Sequence, residues 1–285
     1  MSDKPKLSLR MLVPVAVSLS MAWLFLALVI FSKVESAMFL APFEEPTNGR
    51  HPGVLLESPS PYLNTLAFLG AVLAGSAFVI VFLKFFKRFI RAFVVGALWL
   101  AAFSVSSFYA LLCSRALLPG SNAERILLPI AAVTATVAAY VSASKKGILS
   151  LFSCGIVGAG AGVTLGSSMP FWTAIVLLVS ISAYDVLAVL RGHLGALKGQ
   201  ELESLRGFVV EYGGLMIGLG DIFFYALLTS FTTLRVGLLA GVGGTLGILA
   251  GYVLTLKLLE RRGMLPGLPA PILIGLALAM LFGYF

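Results

Sequence analysis

Nine apolar runs, each near the roughly 20 residues that carry a helix across a bilayer, follow one another through this sequence with short polar breaks. Their boundaries fall at about 11–31, 62–83, 92–113, 126–143, 148–167, 170–190, 214–232, 236–256 and 266–285. The break between the fifth and sixth rests on Ser167, Ser168 and Pro170. In hydrocarbon the backbone must satisfy its own hydrogen bonds, so this pattern predicts an all-α polytopic membrane protein with nine spans. Composition points the same way: 59% of the residues are apolar and 11% charged, where soluble domains carry about 25% charge. A soluble enzyme, a disordered protein and a coiled coil are all excluded. The first run exceeds the roughly 7–15 apolar residues of a signal-peptide core, which predicts a retained span.

Charge then orients the spans. The net charge is +8, but the 20 Lys and Arg are scattered between apolar runs rather than gathered into a basic patch. No nucleic-acid partner is expected; the expected partner is the lipid bilayer. With nine spans, 15 basic residues, from Lys4 to Arg262, fall on one face. Five fall on the other: Lys33, Arg50, Arg115, Arg125 and Arg235. Because Lys and Arg accumulate on the cytoplasmic side, the N-terminus is expected in the cytoplasm and the C-terminus outside. Residues 1–190 then hold six spans with an external loop at 32–61. Residues 191–213 form a cytoplasmic loop and 214–285 the last three spans, all within one integral membrane domain.

Metal and cofactor chemistry finds little purchase. Cys113 and Cys154 form no CxxC or metal-ligand spacing, and His51 and His193 match no HExxH pattern. No metal or cofactor is expected. The eighth span carries Gly237, Gly241, Gly243, Gly244, Gly247 and Gly251. Small residues four apart let membrane helices approach closely, so these glycines predict tight packing, within one chain or between copies in a homo-oligomer.

The acidic residues are more selective. Only three of the twelve are aspartates, and Asp3 lies in the N-terminal tail. Asp185 and Asp221 alone fall well inside expected spans, in two consecutive ones. A charge at that depth costs several kcal/mol and marks a functional site by default. Asp185 lies six residues before Arg191, or about 9 Å along a helix. Asp221 lies ten residues after Glu211, or about 15 Å. Both carboxyls thus come toward the cytoplasmic half of the membrane. Helical spacing puts Gly214, Gly218, Asp221 and Tyr225 on one side of the seventh span, and Ser182, Asp185 and Ala188 on one side of the sixth. Small neighbours would let the two backbones come close, and Gly220 would allow unusual backbone angles beside Asp221. Two close carboxyls in a low-dielectric site share a proton. One can then act as general base toward water while the other protonates a carbonyl oxygen. The competing reading of the same pair is a carboxylate-based ion or proton transporter or channel.

The residues around the carboxyls separate these readings. Tyr184-Asp185 in the sixth span, and Gly218-Leu219-Gly220-Asp221 in the seventh, resemble the Tyr-Asp and GxGD motifs of presenilins and signal peptide peptidases. Pro266-Gly267-Leu268-Pro269 is similar to their Pro-Ala-Leu-Pro motif at the ninth span, with Gly in place of Ala. The register Pro269-Ala270-Pro271 keeps Ala but loses Leu. The resemblance implies an intramembrane aspartyl protease that cuts transmembrane helices of single-span membrane proteins, with Asp185 and Asp221 as the catalytic pair. It implies that the Pro266–Pro269 segment lies beside that pair and helps to hold an extended substrate. Tyr184 orders the site or packs against it. A cytoplasmic N-terminus matches presenilins, since signal peptide peptidases are inverted. A chain this compact resembles an archaeal presenilin homologue, in a prokaryotic cell membrane and without obligatory partner subunits. Prepilin-peptidase chemistry would bring paired CxxC motifs, and rhomboid-type serine chemistry a GxSxG; neither is present.

Overall fold

A computed structural model describes residues 9–32, 42–45, 51–85, 89–117, 124–144, 147–190, 208–213, 215–262 and 266–284. A short 3₁₀ turn, Leu9–Leu12, leads into α1 (Val13–Ser32). There follow α2 (Val54–Glu57), α3 (Ser60–Phe85), α4 (Ile90–Leu117), α5 (Glu124–Ser144), α6 (Ile148–Ser168) and α7 (Phe171–Leu190). A hairpin of β1 (Val209–Tyr212) and β2 (Leu215–Gly218) precedes α8 (Leu219–Arg235), α9 (Leu238–Arg262) and α10 (Pro269–Gly283). The break before α7 falls at Met169-Pro170, where Met169 is extended with ψ of 137°. A residue before proline is pushed out of the helical region, so Pro170 ends α6 as its position in the sequence suggests.

The fold is all-α and polytopic. Among the described residues, seven helices are long and apolar enough to cross a membrane: α1, α3, α4, α5, α6, α7 and α9. The seventh and ninth expected runs need correction. Residues 215–218 of the seventh run are strand rather than helix, which leaves α8 with 17 residues. In the ninth, Pro266, Gly267 and Leu268 precede the helix, and α10 has 15 residues from Pro269. Each shortening has a local cause. Val209–Tyr212 and Leu215–Gly218 pair antiparallel, Val209 opposite Gly218 and Tyr212 opposite Leu215, with the chain leaving β1 at Gly213. Gly213 has φ of +63°, a conformation that glycine takes at no steric cost. Proline favours the first turn of a helix, where its missing N–H would have no partner, and Pro269 sets the start of α10. Of the expected 191–213 loop, 191–207 lie outside the described residues, and 208–213 belong to the hairpin side of the site.

α8 is the central helix. Ile222, Leu227, Leu228 and Phe231 are fully buried around its circumference, where a helix facing lipid would bury one side only. Its buried hydroxyls bond back along their own helix, as Thr229 does to Tyr225 O at 3.0 Å and Thr233 to Thr229 O at 2.7 Å. α1 lays Val15, Leu19, Ala22, Leu26 and Val29, a single stripe by spacing, against this centre. The closest approach to α8 comes from α6. A Cβ on Gly166 would lie 2.6 Å from Leu227 O, and one on Gly162 would strike Phe223 O. On the other side, a Cβ on Gly247 of α9 would lie 2.6 Å from Gly275 Cα, and one on Gly251 would lie 2.5 Å from Ala270 O. The eighth-span glycines therefore seat α10 directly on α9, backbone to backbone, within one chain.

α7 is fixed at its first turn by a residue from the segment after α1. The Glu45 carboxylate accepts from Thr173 N at 2.6 Å, Trp172 N at 3.2 Å and the Thr173 hydroxyl. Buried Asn64 of α3 bonds Thr173 Oγ1 at 3.2 Å, Phe43 O at 2.8 Å and Phe43 N at 3.0 Å. One carboxylate thus satisfies amides that the start of a helix leaves without an intrahelical partner. Losing a helix cap costs about 1–2 kcal/mol. Glu45→Ala is therefore expected to lower the unfolding midpoint by about 2–6 °C, read by a thermal scan in detergent. Asn64→Ala should act in the same direction.

Candidate active site

Asp185 sits about a turn and a half before the end of α7. Its Oδ2 accepts a hydrogen bond from Leu268 N at 2.9 Å. The donor belongs to the Pro266–Pro269 segment, 83 residues away in the chain. Leu268 is buried, and Pro266, Gly267 and Pro269 are half-buried beside it.

Asp221 is the third residue of α8, in its first turn. Gly218, the last residue of β2, precedes the helix with φ of −79° and ψ of 146°. Its N–H donates to Asp221 Oδ2 at 3.3 Å, so the carboxyl folds back to cap its own helix. Leu219 N donates to Phe208 O at 2.8 Å, which joins the helix start to the residue before β1. The expected depth of Asp221, counted along one continuous helix from Glu211, is corrected by this geometry. The hairpin lies between them, and the carboxyl belongs to a helix N-terminus. The expected helical face is also changed: Gly218 is strand, Gly214 lies outside the described residues, and Asp221 and Tyr225 alone keep their i, i+4 relation. Gly220 is exposed in the first helical turn, and positive φ occurs only at Gly147, Gly213 and Gly237 among the described glycines. Its backbone freedom is not used in this structure.

The two carboxyls meet at one dipeptide. Asp185 takes the Leu268 N–H, while a Cβ built on Gly267 would lie 3.2 Å from Asp221 Oδ2 and 3.4 Å from its Oδ1. Adjacent Cα atoms are 3.8 Å apart, so both acids lie against the same short piece of chain. A third contact completes the arrangement. Tyr225, one turn beyond Asp221, donates its hydroxyl to Gly267 O at 3.0 Å. Tyr184, next to Asp185, is half-buried and packs at the margin of the main core.

Gly267 is the position where the segment departs from Pro-Ala-Leu-Pro, and the contact with Asp221 gives the departure a physical meaning. An alanine methyl at 3.2 Å from a carboxylate oxygen would force a shift of a few tenths of an ångström. Gly267→Ala is expected to leave the fold intact and to push the Asp221 carboxyl away from the segment, with a thermal midpoint lower by no more than a few degrees in a detergent scan.

One part of the site and one helix contact that supports it carry signals in the sequence that the expected spans do not use. Val209-Val210-Glu211-Tyr212-Gly213-Gly214-Leu215-Met216-Ile217 carries a hairpin signal, a Gly-Gly turn between β-prone runs. Continuous hydrophobicity into the seventh run obscured it. The Gly158, Gly162 and Gly166 series on α6 sits four apart, as on α9, and marks the helix that approaches α8. Tyr225 gave no sequence signal for its bond to Gly267, because the two are 42 residues apart. Among the described residues no group of three or more His, Cys, Asp or Glu could hold a metal ion.

Comparison with known proteins agrees with this architecture. No family model matches the chain. Over 119 residues it is 37% identical to Presenilin-B of Dictyostelium discoideum, a stretch covering 38% of this chain and 25% of that protein. The chain thus spans about a quarter of the length of the curated relative it matches. Among solved structures, it resembles a presenilin family intramembrane aspartate protease in two crystal forms. In the P2 form the TM-score is 0.65 at 22% identity, covering 97% of this chain and 98% of the other. In the C222 form the TM-score is 0.59 at 20% identity, covering 94% and 98%. The fold is that of this presenilin-family protease.

Proposed function

We propose that this chain is an intramembrane aspartyl protease of the presenilin type, which hydrolyses peptide bonds within transmembrane helices of other membrane proteins. One observation carries the reading. Two aspartates from different helices lie against the same Gly267-Leu268 dipeptide, in a chain whose other acidic residues stay outside its apolar runs. Asp185 and Asp221 are the catalytic pair. They hold one proton between them, as close carboxyls in a poorly solvated site do. The ionised member removes a proton from water as its oxygen attacks the scissile carbonyl carbon. The protonated member gives its proton to the carbonyl oxygen. In collapse of the tetrahedral diol the C–N bond breaks. The aspartate that took the water proton gives it to the departing nitrogen, and the other takes a proton from a diol hydroxyl. That leaves a carboxylic acid, an amine and one proton again on the pair.

The substrate must first unwind, because helical carbonyls are already hydrogen-bonded and bare backbone is expensive in hydrocarbon. The hairpin before Asp221 meets that need. No third strand pairs with β1 or β2 among the described residues, so the sheet offers an edge to an extended chain. The Pro266–Pro269 segment bounds the site on the other side. Nine spans, with the short α8 and α10 completing the seven longer ones, put the N-terminus in the cytoplasm and the C-terminus outside. The basic residues, 15 on one face and five on the other, support this direction. The enzyme resides in a membrane as an integral multi-pass protein and acts on single-span substrates.

The test uses purified full chain in detergent and in liposomes, a single-span substrate, and the variants Asp185→Ala and Asp221→Ala. Cleavage that both variants lose is the expected result. An intact substrate across lipid and pH conditions, with ion flux that the variants lose, would replace the protease with a carboxylate-based transporter.

A further inference from the structure

The Gly267-Leu268 peptide group is held at both ends by the two helices that carry the aspartates. Its carbonyl accepts from the Tyr225 hydroxyl on α8 at 3.0 Å, and its N–H donates to Asp185 Oδ2 on α7 at 2.9 Å. A peptide unit is planar and rigid, so whatever holds the carbonyl also aims the N–H. We propose that Tyr225 is a positioning residue for the reaction: by holding the Gly267 carbonyl it fixes the Leu268 N–H, which fixes the Asp185 carboxyl. The inference rests on the protease reading above and assigns a role within that same site.

The surroundings of Tyr225 support more than packing. Its side chain is 1% exposed, and phenylalanine would fill the same space without a polar atom to satisfy. A buried tyrosine hydroxyl is retained at little penalty only where it finds a partner, and this one finds the dipeptide against which both acids rest. Gly267 has no side chain of its own to anchor it and sits in a bend just ahead of α10. Asp185 approaches from α7 and Asp221 from α8, so the mutual setting of the acids depends on what joins the two helices at this level. The bonded peptide is such a joint. Hydrogen bonds in a chain also strengthen one another, so the bond to the carbonyl reinforces the one to Asp185.

Tyr225→Phe removes one hydroxyl and tests the idea directly. The expected result is a kcat about tenfold to a hundredfold lower, the loss typical of a misplaced reacting group, with KM changed by less than about twofold. Tyr109→Phe is the matched control. Tyr109 is also buried and donates to a glycine carbonyl, Gly160 O at 3.1 Å, on the α4–α6 side of the fold. It should lose thermal stability comparably and keep its kcat. Rates are taken per folded monomer from gel filtration, with unfolding midpoints for both variants, so poor recovery is not read as slow chemistry. A Tyr225→Phe kcat equal to wild type, or reduced no further than that of Tyr109→Phe, overturns the proposal. A second readout does not need turnover. The infrared carboxyl bands of Asp185, identified by their loss in Asp185→Asn, should shift in Tyr225→Phe. Unmoved bands overturn the positioning role even if the wild-type chain cleaves nothing, an outcome that would by itself remove only the protease reading.

Discussion

Asp221→Asn and Asp185→Asn are each expected to lower the cleavage rate by at least about a thousandfold while leaving the fold in place. General acid–base groups contribute about a hundredfold to ten-thousandfold, and a two-carboxyl site loses both functions once it can no longer pass a proton between its members. Asparagine is the informative replacement here because it separates chemistry from structure. Its amide oxygen can still accept from Gly218 N in one case and from Leu268 N in the other, the bonds that the carboxylates make at 3.3 and 2.9 Å. The helix cap and the joint to the Pro266–Pro269 segment should therefore survive, and thermal midpoints should stay within a few degrees. Because the two acids act as a unit, the double variant should be no slower than either single one. A single variant that retains a tenth or more of wild-type activity would refute a two-aspartate mechanism. So would a double variant slower by the product of the single effects.

Gly162→Ala is expected to be among the most damaging single-methyl changes in the scaffold. Its Cβ would strike the Phe223 carbonyl and come within 2.9 Å of Ala226 Cβ and 3.1 Å of Leu227 N, all on α8. Two of those three neighbours are backbone, which cannot rotate away, so α6 and α8 must separate. Overpacking of this kind costs about 1–3 kcal/mol, occasionally more, equivalent to a midpoint lower by about 2–12 °C. Activity should fall as well, because α8 carries Asp221 in its first turn. Gly70→Ala and Gly75→Ala are the controls. Both glycines lie on α3 with open space where a Cβ would go, and alanine is the better helix former by about 1 kcal/mol. They should leave the midpoint unchanged or raise it slightly. Equal destabilisation at all three sites would mean that close α6–α8 contact is not what Gly162 provides.

How far the sequence reaches differs between kinds of residue. Spans are legible because hydropathy is a local sum: each of the long helices is announced by its own run, and Pro170 marks its break wherever the neighbours lie. Asp185 and Asp221 are legible because carboxyls in hydrocarbon are costly enough to be rare. The hairpin at Val209–Gly218 was written in the sequence but divided, since charge and polarity upstream put its first strand in the expected 191–213 loop and continuous hydrophobicity put its second in the seventh run. The Gly158, Gly162 and Gly166 spacing could be read as a close approach, yet nothing in it names α8 as the partner.

The sequence by itself determined an all-α membrane chain, the identity of the two acids within its apolar runs, and a glycine spacing that demands close helices. The tertiary structure decided the rest. It placed a β-hairpin ahead of the seventh helix, so that Asp221 lies in that helix's first turn and caps it rather than lying deep within it. It brought Leu268 to Asp185 across 83 residues and Tyr225 to Gly267 across 42. Hydrophobic burial depends on composition and period, which a sequence displays. A hydrogen bond between distant groups depends on direction and on distances of a few tenths of an ångström, which exist only once the helices have packed.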